Sequence, residues 1–128
     1  MSIGYKIRNF FSNHAETKDR HVDKKLQTHY YKSSKDSVMK VIESYFASKD
    51  TYSINAVSKE HGEISATTKK DKRVFIVATI IMVRPYHTAI DFSVTTESLL
   101  QLDFGHSSKV IQELYEHINK ELQLISEH

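Results

Sequence analysis

Hydrophobic positions along this chain shift from helical spacing to strand alternation and back. Over residues 1–11, Ile3, Ile7, Phe10 and Phe11 recur at i, i+4, i+7 and i+8, which is one helical face about two turns long. Residues 12–29 keep only Val22 and Leu26 as apolar anchors, so that stretch reads as a polar arm or a weak helix. From Ser34 the pattern sharpens. Ser34 suits an N-cap, Asp36 favours the positive first turn, and Val38, Val41, Ile42, Tyr45 and Phe46 follow at helical spacing up to Ser48.

Alternation then replaces helical spacing. Tyr52, Ile54 and Ala56 alternate with Ser53 and Asn55, and after the turn Glu60-His61-Gly62 a second strand runs from Glu63 to Thr68. A third covers Val74 to Val83 and a fourth Tyr86 to Thr95, parted by Arg84-Pro85. Short connections of this kind favour an antiparallel meander. After a looser stretch, Ser107 or Ser108 is expected to cap a last helix with Val110, Ile111, Leu114, Tyr115, Ile118, Leu122 and Ile125 on its apolar stripe. The expected fold is α+β: a four-stranded antiparallel meander with N- and C-terminal helices packed on one face. Residues 1–33 form a basic arm with the short amphipathic segment, and 34–128 form the domain.

The third strand carries the main functional implication. Val74, Ile76, Ala78, Ile80 and Met82 point one way, while Phe75, Val77, Thr79, Ile81 and Val83 point the other. A sheet with one wet face alternates polar and apolar residues, and this strand does not. Two helices cover one face, so Phe75, Val77, Thr79, Ile81 and Val83 are expected to meet a second copy of the chain, an unknown protein or a small apolar ligand.

Composition narrows the functional classes. The 128 residues suit one domain, and a chain without cysteine has no disulfide framework, thiolate metal site or cysteine nucleophile. With no secretory h-region and no apolar run near the ~20 residues of a spanning helix, the expected location is the cytoplasm. The net charge of +2 is unevenly spread. Residues 1–35 carry eight Lys or Arg against three acids, and the rest carries ten against thirteen. Lys18, Arg20, Lys24, Lys25 and Lys32 with Tyr30 and Tyr31 invite a nucleic-acid reading, but three acids dilute them and no recognised motif is present. Ile3, Ile7, Phe10 and Phe11, with Lys6 and Arg8, form a weak candidate for docking on a membrane surface or on the sheet.

Candidate chemistry is sparse. His87 and Asp91 share a side of the fourth strand but stand ~13 Å apart, too far to hydrogen-bond. Asp103 and His106, near the start of the last helix, make weak catalytic candidates with Glu63, and nothing resembles a nucleophile elbow. His14, His21 and His29 would share a face only on a continuous helix, and their spacing is not that of metal ligands. No metal or cofactor is expected.

Gly62-Glu63-Ile64 opening a strand and Asp103-Phe104-Gly105 leading into a helix with Lys109-Val110-Ile111 give residues 34–125 a resemblance to a bacterial family, domain of unknown function fourteen-ninety-nine. The resemblance implies a bacterial origin. Where that family shows an arginine-bearing stretch, this chain has Val94-Thr95-Thr96-Glu97-Ser98, so no anion-binding arginine carries over. The leading reading is a non-enzymatic binding domain that dimerises through the second sheet face. The alternatives are a small hydrolase or isomerase at the start of the last helix, and a membrane adaptor anchored by residues 1–11.

Overall fold

The computed structural model describes residues 14–68, 73–97 and 104–125. Helix α1 spans Lys35–Ala47, with Ser34 as its N-cap accepting from the Ser37 backbone N–H, as the capping pattern requires. Four antiparallel strands follow as expected: β3 (Tyr52–Ser58), β4 (Glu63–Thr68), β5 (Arg73–Arg84) and β6 (His87–Glu97). Helix α2 covers Phe104–Glu121. Ser107 therefore sits inside the helix rather than capping it, buried and 2.6 Å from the Thr96 hydroxyl.

Among the described residues the sheet has six strands, not four. The stretch expected to be an arm or weak helix supplies β1 (His14–Glu16) and β2 (His29–Tyr31), and both pair antiparallel with β6. Their registers fall on one line, His14 to Glu16 opposite Thr95 to Ser93, and His29 to Tyr31 opposite Ile90 to Thr88. Together they make one edge strand broken by an excursion that returns to its starting point, an Ω-loop. Val22 and Leu26 carried too little periodicity to show this; the pairing surface comes from β6. Leu26, 1% exposed, and Ala15 and Tyr31 join the same core as α1 and the sheet.

Even-numbered residues of β5 and β6 face the helices. Ile76, Ala78, Ile80, Ile90, Phe92 and Val94 are buried there with Phe46, Ile111, Leu114 and Ile118. Each fully buried aliphatic or aromatic side chain contributes about 1.5–3 kcal/mol relative to exposure, so this layer carries most of the fold's stability. The single sheet order, β1-β6-β5-β4-β3 with β2 beside β1 on β6, leaves β5 in the centre.

Gly62 closes the β3–β4 turn at φ +69°, and its carbonyl accepts from the Ile80 N–H at 2.7 Å. A Cβ there would meet the Ile80 carbonyl oxygen, which the backbone cannot move aside. Gly62→Ala is expected to destabilise the domain by about 2 kcal/mol or more and lower its melting temperature in a calorimetric scan.

Candidate functional site

The face of the sheet away from the helices is built from cross-strand rows. One row reads His14, Thr95, Phe75, Thr67, Ser53; the next reads Glu16, Ser93, Val77, Ser65, Ala56. A third reads Asp91, Thr79, Glu63, Ser58, and a fourth Tyr30, Ala89, Ile81. On β4 and β6 the rows place Ser, Thr, Asp and Glu beside the centre, the alternation of a hydrated face. The apolar residues concentrate on β5. Phe75 is 44% exposed, Ile81 52% and Val83 53%, while Val77 and Thr79 are half-buried. All five residues expected at an interface thus border this face, with Val83 at the irregularity between Met82 and Arg84. Met82, expected to point toward the core, is 46% exposed, because β5 runs beyond the last β4 partner there.

A shallow open depression of about 220 Å³ sits beside the stripe, lined by Ala56, Ser58, Glu63, Ser65, Phe75 and Val77. The β3 register shifts between Ile54 and Ala56, and small side chains line the space next to the shift. Its volume is below the 300–1,000 Å³ usual for small-molecule sites. It suits a protruding side chain of a partner better than a substrate.

His14 anchors a cluster that sequence spacing did not reveal. Its Nδ1 lies 2.7 Å from the Thr95 hydroxyl, its Nε2 2.8 Å from a Glu16 carboxylate oxygen and 3.5 Å from the Ser93 hydroxyl. The linkage hydroxyl–imidazole–carboxylate resembles a catalytic triad, but the β6 backbone there is bracketed by β1 and β5, so its N–H groups serve the ladders. No oxyanion hole forms in the middle of a sheet. The i, i+2 spacing of His14 and Glu16 was a strand signal hidden by the helical reading of the three arm histidines. Those three histidines separate: His14 on the open face, His21 in the Ω-loop and His29 against α2.

Asp91 takes part in a different pair from the one considered. Its Oδ1 accepts from the hydroxyls of Thr17 and Thr28, both at 2.6 Å, and these threonines flank the base of the Ω-loop. Thr17 also accepts from the Phe92 N–H. One carboxylate oxygen therefore fastens both ends of the loop to β6. His87, on the same side of β6 as Asp91, packs its ring against Tyr30 instead.

The catalytic candidates do not converge. Glu63 pairs with Thr79, six residues along β5 from the Arg73–Glu97 end, where Ser107 at the start of α2 meets Thr96, a distance of about 20 Å. Glu63 points to the open face and His106 lies half-buried in the helix layer. Asp103, Ile3, Ile7, Phe10 and Phe11 lie outside the described residues. Among the described residues, no group of three or more His, Cys, Asp or Glu gathers as metal ligands, and no helix is long and apolar enough to cross a membrane. Comparison with protein-family models and with curated proteins finds no match.

His29 stacks on Tyr115 with ring centroids 3.6 Å apart and an interplanar angle of 9°. Burial pushes its pKa below the ordinary histidine value, and a hydrogen bond with Asn119 acts in the opposite sense. Burial also pushes the Tyr31 and Tyr115 hydroxyls well above the usual tyrosine range. Folding thus favours neutral His29. The unfolded chain binds the extra proton, so this contribution is complete above pH ~6.5 and declines as pH falls through 6.5 toward the lowered folded value. In His29→Gln, melting temperature is expected to fall less between pH 7 and pH 5 than in wild type, measured by circular dichroism.

Removing the Asp91 carboxylate strands two buried hydroxyls at a cost of about 1–3 kcal/mol each. Asp91→Ala is expected to speed tryptic cleavage at Lys18, Arg20, Lys24 and Lys25, and Asp91→Asn, which keeps an acceptor oxygen, to do so much less.

Proposed function

We propose that this chain is a non-enzymatic binding module that pairs with a second copy of itself through the sheet face opposite α1 and α2. The observation that carries the reading is the exposed run of Phe75, Ile81 and Val83 on a central strand whose opposite side is already buried. The surface suits a twofold partner. Apolar β5 lies between hydroxyl-bearing lanes on β4 and β6, so two copies stacked face to face set stripe on stripe and hydroxyl on hydroxyl. Area sets the strength. Four strand spacings plus side chains by the length of Phe75 to Ile81 give about 500 Å² per copy. The total of about 1,000 Å² is at the lower limit of a specific interface. Such a dimer dissociates on dilution. A cysteine-free chain suits the reducing cytoplasm, and a bacterial origin is what the resemblance to domain of unknown function fourteen-ninety-nine implies.

Light scattering on a gel-filtered dilution series tests the pairing. Wild type is expected at twice the chain mass when concentrated and at the chain mass when dilute. Phe75→Glu and Ile81→Glu, at exposed sites, are expected to stay folded and elute at the chain mass throughout. A wild type of single-chain mass at every concentration refutes the proposal.

A further inference from the structure

The Ω-loop is a second surface that the open sheet face does not use. Residues 18–27 carry Lys18, Arg20, Lys24 and Lys25, all exposed, against Asp19 and Asp23. Both acids serve local structure. Asp19 accepts from the Tyr30 hydroxyl at 2.5 Å, and Asp23 caps the 3₁₀ turn Lys24–Leu26 by accepting from the Lys25 N–H at 3.0 Å. Among the described residues, none of the four cationic side chains has an ion pair or a hydrogen bond.

At the apex, Val22 is 97% exposed. The loop beneath it is fixed, not a loose tail: Leu26 plugs the core, the Lys18 N–H donates to the Leu26 carbonyl, and Asp91 clamps both ends. A tethered loop with an exposed valine and four cationic side chains against two acids, a net charge of +2, has the chemistry of a peripheral lipid contact. We propose that this loop docks the protein on an anionic bilayer surface, Val22 entering the interface and Lys18, Arg20, Lys24 and Lys25 meeting headgroup phosphates and carboxylates.

Nucleic acid fits the same charges less well. Single-strand binding needs exposed aromatic platforms beside the cations. Tyr31 is fully buried, and Tyr30 is held by Asp19 and set against His87. A valine standing free in water gains nothing from a phosphate backbone, whereas it loses apolar exposure at a bilayer interface. The inference holds for a single copy or a pair and is independent of the sheet-face dimer.

The test uses the full chain with phosphatidylcholine vesicles, with and without phosphatidylserine. Wild type is expected to co-sediment with the serine-containing vesicles, far less with phosphatidylcholine alone, and progressively less as salt rises. Lys24→Glu with Lys25→Glu, exposed positions that leave the fold and residues 1–13 untouched, is expected to weaken partitioning roughly tenfold or more. The chain has no tryptophan, so Val22→Trp supplies a single, selectively excitable tryptophan at the apex. Its emission is expected to shift to the blue on binding and to be quenched by brominated lipid. Equal partitioning of the double variant, an unshifted tryptophan, or loop-dependent binding of a single-stranded oligonucleotide with none to vesicles overturns the proposal.

Discussion

A sheet has two faces, and among its described residues this chain has helices for one. Everything distinctive about the molecule follows from where β5 sits under that constraint. As the central strand it needs an apolar side toward α1 and α2, and it supplies one in Val74, Ile76, Ala78 and Ile80. Its other side is apolar as well, through Phe75, Val77 and Ile81, while its neighbours β4 and β6 turn serine, threonine and acids to the same face. The exposed hydrophobic surface is therefore a stripe one strand wide. A stripe of that width suits a weak, specific, reversible contact better than a permanent one.

The second organising feature is the carboxylate of Asp91. The outer edge of β6 is filled by two short strands that come from an interrupted segment, and three-residue strands hold poorly by themselves. By accepting from both Thr17 and Thr28, Asp91 converts an excursion of polar sequence into a loop with fixed ends. His29 on Tyr115 and the Tyr31 hydroxyl donating to Asn119 secure the returning strand to α2. The edge is thus covered by polar interactions, and the core by the helices.

Elements with strong periodicity were legible in the sequence: α1 with its Ser34 cap, the four-strand meander, and the alternating sides of β5. The start of α2 was misplaced because Ser107 and Ser108 look like caps, whereas Ser107 turns inward to Thr96. The largest miss was residues 14–31. A three-residue strand contains too few positions to show a period, and its partners lie some sixty to eighty residues away on β6. The His14 cluster was hidden for the same reason, since Glu16 and His14 share a face only if the segment is extended. Glu63 and His106 looked like possible collaborators in a list of residues, but the topology puts them on opposite faces and far apart along the strands.

The claim that matters most is that the outward side of β5 is solvent-exposed in one copy and covered between two. Hydroxyl-radical footprinting of the wild-type chain across a dilution series reads this directly. The account predicts that labelling of Phe75 and Ile81 falls as concentration rises, while Val22 in the Ω-loop stays fully labelled. Phe75 and Ile81 labelled to the same extent at every concentration would contradict it.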